Sequence, residues 1–385
     1  MPATGAVDRE WSALLAACSA APPQEKLLSL QSLLQKPIRW KVLFDLADRH
    51  GLQPLVYQSL SALRPAVPAE QMRAIEQSYQ TNLHKTLLLS RELIRIVAHL
   101  TALGIKVMPY KGVALAELLY GDIALRQSGD IDLLIRAQDL SRIRDAVGEL
   151  GYTPHVTFSE AEERAYLKSG YEYAFDGAAG PNLLEVQWAI QPRFYAVDFD
   201  MDDLFQRAVT IPVAGHPMRT LGLEDLLIVL AVHAAKHVWG RLVWLCDIAQ
   251  LMKAPNLNWE RIGSEASSLG VARILRVAML LAHRLLGASI PGDAEKNLPE
   301  DHAVLKLAEE IENHLAGEPV FKGESLAYFR LMMRLRERPR DRRRFLQRLL
   351  LTPGPGEWNA IDLPPALFPL YRLVRLSRVA ARLVR

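Results

Sequence analysis

RQSGDIDLLI, residues 126–135, places two aspartates one residue apart at the mouth of an apolar run, directly after a Ser-Gly pair. Read as a strand, the run alternates its side chains. Asp130 and Asp132 project from one face, their Cα atoms about 6 to 7 Å apart, while Ile131, Leu133 and Ile135 pack on the other. Two carboxylates aimed at one place repel, and a hard divalent cation with oxygen ligands is the usual remedy. An EF-hand loop is excluded, because after D-x-D it needs a third oxygen ligand and then glycine, where this chain has Leu133, Leu134 and Ile135. Ser128 and Gly129 supply the tight turn into the strand, with amides free to meet a phosphate oxygen.

The flanking segments extend this pattern. Upstream, IKVMPY is a short strand that ends in Lys111-Gly112 and opens a helix over VALAELLYG, an arrangement in which glycine lets backbone amides approach a phosphate. Downstream, QDLSRIRDAVGELG reads as a helix closed by Gly151, and YEYAF and NLLEVQWAI as strands around the turn-rich DGAAGPN. Glu185 interrupts the last of these and shares a face with Gln187, so three acids form one cluster if the strands are neighbours. Residues 8–103 carry helical periodicity, with Gly51 and Gly104 at helix stops and one long helix from Pro68 to Leu103. Helical periodicity returns from Leu223. The expected fold class is α+β, mostly helical: an N-terminal helical domain (1–103), a small mixed-sheet core (104–212), a C-terminal helical domain (213–329) and an arginine-rich extension (330–385).

Composition agrees with a globular, soluble protein. The chain has 385 residues, half of them hydrophobic, and a mean hydropathy of +0.04. No apolar run reaches the roughly 20 residues of a membrane span. The nearest, LEDLLIVLAVHAAKHVW, is broken by Glu224, Asp225, His233, Lys236 and His237. The N-terminal MPATGAVDREW lacks the pattern of a signal peptide, and Cys18 and Cys246 are too few and too far apart for a disulfide framework, so the expected location is the cytoplasm. The net charge of +3 conceals an asymmetry: Arg330 to Arg385 holds fourteen arginines against four acids. The arginines at 372, 375, 378, 382 and 385 fall mostly on one side of a helix, which is expected to dock on the acidic body; nucleic acid is the less favoured partner for this tail.

A strand, a glycine at a helix start, D-x-D opening a second strand and an acid on a later strand resemble the minimal core of the DNA polymerase beta type nucleotidyltransferase superfamily. The longer string YKGVALAELLYGDIALRQSGDIDLLI, with GELGY, LLEVQWAI and HAAKHVWGRLVWLCDI, is more closely similar to a bacterial family of uncharacterised nucleotidyltransferases, over about residues 100 to 250. The chain departs from the superfamily in having Gly112-Val113 where Gly-Ser is usual, Lys111 before it, and a longer gap to Asp130. The resemblance implies two Mg²⁺ ions, with Mn²⁺ able to substitute, held by Asp130, Asp132 and Glu185. One ion would grip a triphosphate, and the other would activate an acceptor hydroxyl beside Glu185. It implies transfer of a nucleoside monophosphate, AMP from ATP, with release of pyrophosphate. The acceptor, whether small molecule, peptide or protein, is left open.

Further residues are assigned to the nucleotide. His233, His237, Arg241 and Trp244 fall at three-to-four spacing on one helical face, with Lys236 and Asp247 at its edge. A zinc-protease site is excluded, since H-E-x-x-H has Ala234 in place of its glutamate. Lys236, His237 and Arg241 are the expected triphosphate ligands, with Lys111, Gly112, Arg126, Ser128 and Gly129; Asp247 is read as a partner of Arg241. Two other functions fit a D-x-D: a nucleotide-binding regulator without turnover, and a metal-dependent glycosyltransferase. The latter needs a larger parallel sheet than residues 8–103 allow.

Overall fold

The computed structural model describes residues 7–177, 183–290, 292, 301–315, 317 and 325–384, so most of the DGAAGPN connection lies outside the described residues. The N-terminal section is helical as the periodicity requires: α1 (Val7–Cys18), α2 (Pro23–Leu34), α3 (Trp40–Arg49), α4 (Gln53–Ala62) and α5 (Ala69–Ala102). Pro68 stands at the N-cap of α5, whose 34 residues end at Ala102, two before Gly104 in the left-handed region at φ +72°. The core follows as β1 (Val107–Pro109), α6 (Gly112–Tyr120), β2 (Asp130–Ile135), α7 (Leu140–Gly148), β3 (Tyr152–Pro154), α8 (Glu160–Ser169), β4 (Glu172–Gly177), β5 (Leu183–Gln187) and α9 (Met201–Gln206). A hairpin of β6 (Val209–Val213) and β7 (His216–Thr220) turns through Ala214 and Gly215, at φ +48° and +81°. Helices then resume as α10 (Leu223–Lys236), α11 (Leu242–Met252), α12 (Trp259–Leu269), α13 (Ala272–Leu286), α14 (His302–Leu315), α15 (Leu326–Leu335), α16 (Pro339–Leu351), α17 (Pro355–Trp358) and α18 (Tyr371–Val384).

The strands form a mixed sheet in the order β1-β2-β5-β4-β3, in which only the β2–β5 pair is parallel. Its back face, with Ile131, Leu133, Ile135, Leu184 and Val186, packs on Leu89, Leu93, Ile96 and Leu100 of α5 and on Ile143 and Val147 of α7. The chain is therefore α+β and mostly helical. A second, larger core runs without a break from Leu14 of α1 through α10, α11 and α13 to Leu349 of α16, so helices from both ends of the chain share it.

His50 joins the two helical sections. Its ring is 1 % exposed and 5.4 Å from that of Trp11, and its Nδ1 accepts from the amide of Leu242 at the start of α11. Burial, with the nearby Arg49 and Arg241, pushes its pKa down to about 4. A lowered histidine binds fewer protons folded than unfolded, so stability is lost as pH falls from about 6.5 through about 4. His50 is expected to contribute about 3 kcal/mol of that loss. Thermal melts between pH 7.5 and 4.5 should show a shallower slope for His50→Asn than for the parent.

The arginine-rich extension docks in two ways. On α16, Arg348 holds Asp198 at 2.6 and 2.8 Å and Arg344 pairs with the same carboxylate, a contact with the body. The last helix departs from the expectation: α18 docks on the extension itself, through Glu357 of α17. The side chains at 382 and 385 lie outside the described residues.

Candidate active site

β2 and β5 lie side by side with Asp132 opposite Glu185 and Asp130 opposite Leu183, so alternation brings Asp130, Asp132, Glu185 and Gln187 to one face. From the other side of β5, β4 sets Glu172 opposite Gln187. The sequence reading does not single out Glu172; its signal was an acid in the apolar alternation of YEYAF. Gln187 is buried and spans the acids. Its Nε2 donates to Asp132 Oδ1, Glu172 Oε2 and Glu185 Oε2, each at 3.2 Å, while its Oε1 accepts from the Tyr110 hydroxyl at 2.5 Å. Lys111, at the start of α6, sets its Nζ 2.9 Å from Asp132 Oδ1.

Four carboxylates against two lysines, Lys111 and Lys236, leave the group short of positive charge. Burial, and then the charges of Asp132, Glu172 and Asp130, push Glu185 up to about 8. Burial and Asp132 raise Asp130, and burial raises Glu172. Lys111 is burdened by burial, but Asp132 and Tyr110 outweigh it and hold its pKa above the ordinary lysine range. Lys236, at the end of α10, reaches the same group: its Nζ lies 3.4 Å from the Tyr171 hydroxyl and 4.9 Å from that ring's centroid. Burial and Lys111 bring its pKa down to about 8.

Hard oxygen donors with unrelieved mutual repulsion are the donor set a divalent cation takes, and Asp130, Asp132 and Glu185 fit one in chemistry. Among the described residues no three His, Cys, Asp or Glu side chains already converge closely enough to hold an ion. Asp132 Oδ1 is taken up by Lys111 and Gln187, so loading a cation requires these contacts to loosen.

A cleft of about 560 Å³ opens beside the Ser128-Gly129 turn, lined by Arg49, Lys85 and Arg241 as its cations and Asp48 as its acid. The N-terminal helices supply Arg49 and Lys85; no motif marks either one in the sequence. Ser128 Oγ is buried without a hydrogen-bond partner among the described residues. Gly112, the first residue of α6, has φ +55°, and a Cβ there would stand 3.2 Å from the carbonyl of Asp130 and 3.9 Å from Ser128 Oγ. Only glycine lets the helix start approach the D-x-D strand this closely.

Three expected nucleotide ligands are placed differently from the sequence reading. Arg126 is 8 % exposed and spent on Asp247, its Nε 3.1 Å from both carboxylate oxygens and one Nη 3.0 Å from Oδ2. Asp247, at 0 % exposure, also accepts from the Tyr120 hydroxyl, so its partner is Arg126 and not Arg241. The single helical face from His233 to Trp244 does not exist, because α10 stops at Lys236. The amides of Val238 and Trp239 donate back to the carbonyls of Ala235 and Ala234, the two bonds of a Schellman stop, with Val238 at φ +54° where glycine is usual. Buried Trp239 anchors this turn in the large core. Lys236 is thereby turned to Tyr171, Arg241 begins α11 and lines the cleft, and His237 packs its ring against His233 and Trp244 at 4.8 and 5.3 Å.

Residues 36–287 match a family described as uncharacterised nucleotidyltransferase, a span that holds every residue of the acidic group and the cleft and ends before the arginine-rich extension. No curated protein matches the chain. Among solved structures, the antibiotic-resistance factor ANT(2'')-Ia is similar at 17 % identity over 52 % of this chain and 91 % of its own, with a TM-score of 0.29. An antigenic nucleotidyltransferase-like protein from Paracoccidioides brasiliensis is similar at 18 % identity over 54 % of this chain and 94 % of its own, with a TM-score of 0.32.

Proposed function

We propose, from the premise that the chain belongs to the uncharacterised nucleotidyltransferase family and is an enzyme of nucleotidyl transfer, that it moves AMP from ATP to an acceptor hydroxyl and releases pyrophosphate. The observation that carries the reading is the register of β2 on β5, which sets Asp132 beside Glu185. Asp130, Asp132 and Glu185 would hold Mg²⁺, which when bound neutralises triphosphate charge and acidifies an acceptor hydroxyl.

The chain's own groups divide the remaining work. Support for a donor site in the cleft comes from the close approach of the α6 start, the unpartnered Ser128 Oγ and the cations Lys85, Arg49 and Arg241. Backbone amides at the start of α6 and these side chains would bind the triphosphate tail and offset charge on the departing pyrophosphate. Glu185, beside Asp132 on the neighbouring strand, would take the acceptor's proton at its carboxylate once the cation has offset the repulsion among the acids. Lys236, Tyr171 and Glu172 lie beside it and would orient the acceptor. Lys236 thus leaves the triphosphate set and joins the acceptor side.

Purified protein incubated with labelled ATP, Mg²⁺ and cell extract should release pyrophosphate and leave labelled AMP on the acceptor. Nucleoside diphosphate released from an added nucleotide sugar, with none of the ATP converted to pyrophosphate, would indicate a glycosyltransferase, and no product from either donor a regulator. Lys85→Gln and Arg241→Gln should each weaken ATP binding by about 1 to 3 kcal/mol in calorimetry. Unchanged affinity in both folded variants would remove the donor from this cleft.

A further inference from the structure

The last helix buries an arginine among its apolar contacts and leaves leucines exposed. Tyr371, Arg375 and Val379 of α18 are buried, each four residues from the next, on the stripe that meets α16 and α17. Arg375 Nε donates to the carbonyl of Leu349 at 3.0 Å and its guanidinium lies 3.4 Å from Glu357. Arg378 pairs with the same carboxylate and donates to the carbonyl of Gly356. The arginines at 375 and 378 are thus turned to the protein, while leucines face water. Leu373 and Leu376 are 62 % and 37 % exposed, and Leu367 and Leu370 in the 3₁₀ turn before them are each 43 % exposed. A surface helix ordinarily does the opposite.

Charge indicates what covers this face. Arg372 on α18 and Arg343 on the adjoining α16 are exposed and make no ion pair or hydrogen bond with any described residue. The extension's acids are mostly spent: Glu337 on Arg276, Asp341 on Arg338 and Glu357 on Arg375, leaving Asp362 exposed. A second copy related by a two-fold axis would set arginines against arginines. Anionic headgroups complement them, with the leucines entering the boundary between headgroups and acyl chains. We propose that α18 and the turn before it form a docking surface for anionic lipid, which holds the enzyme on a bilayer without spanning it. No helix among the described residues is long and apolar enough to cross one.

The test is co-sedimentation of the full chain with vesicles of phosphatidylcholine alone and of phosphatidylcholine with phosphatidylglycerol. The parent should pellet with the anionic vesicles at low salt and stay in solution with the neutral ones. The double variant Leu373→Ser/Leu376→Ser should bind at least about tenfold more weakly, with an unchanged melting temperature and unchanged pyrophosphate release. Arg372→Gln should weaken binding and flatten its salt dependence. Equal binding to both vesicle types, or parent-like binding by the serine variant, would overturn the proposal. So would a dimer that the serine variant abolishes, or retention of an RNA oligonucleotide in place of vesicles.

Discussion

Asp132→Asn is expected to fold as the parent does and to turn over at least about a thousandfold more slowly. Asparagine keeps the shape, and its Oδ1 can still accept from Lys111 and Gln187, which now meet on that atom at 2.9 and 3.2 Å. What is lost is one of the two negative charges that Asp132 and Glu185 together would offer a cation across the β2–β5 ladder. Thermal shift separates this from a folding defect: ATP with Mg²⁺ should stabilise the parent and not the variant, by simple mass action. Asp130→Asn should lose the same shift yet melt at or above the parent in EDTA, since it relieves repulsion without leaving Lys111 bare. Glu185→Gln should spare ATP binding more than turnover. Equal Mg²⁺-dependent shifts in parent and Asp132→Asn would sink the assignment.

The largest loss of stability is expected at the pair Arg126 and Asp247. Both are buried, and three of the contacts between them are hydrogen bonds of 3.0 to 3.1 Å. Arg126→Ala leaves a carboxylate at 0 % exposure with only the Tyr120 hydroxyl, and should cost about 3 to 5 kcal/mol. Asp247→Ala strands the guanidinium in the same way. The double variant Arg126→Met/Asp247→Leu should recover much of the loss, because no unpaired charge remains. Denaturant titration checks all three. A single variant within about 1 kcal/mol of the parent would mean that water already reaches the pair.

How far the site could be read from the sequence follows from the range of the forces involved. The strand DIDLLI occupies Asp130–Ile135, and alternation alone gives the shared face of its acids. That Glu185 lies beside them requires β5 to pair with β2, which Gln187 on the same face does not reveal. Glu172 was legible in principle, as an acid within YEYAF. Lys85 was not, because a lysine in the middle of a long helix carries no local mark. The pairing of Arg126 with Asp247 spans 121 positions and depends on packing alone. The stop after Lys236 was hidden by valine at the left-handed position, held there by the burial of Trp239. The β6–β7 hairpin has no place in the sequence reading, although Ala214-Gly215 between alternating residues is a turn pattern.

The long helix α5 belongs to both hydrophobic cores. Near its start, Met72 and Ile75 sit in the large core, and further along Leu89, Leu93, Ile96 and Leu100 back the sheet. Between them Asn82, buried, donates to the carbonyl of Ala124 ahead of the D-x-D strand. At 1.5 Å per residue it is a strut of roughly 50 Å. A cut at residue 103/104, where helical periodicity gives way to strands, would strip the sheet of its backing instead of releasing a module. Amide exchange in the N-terminal helices and in β2 should therefore slow together when a ligand binds, each section reporting on the other as parts of one cooperative unit.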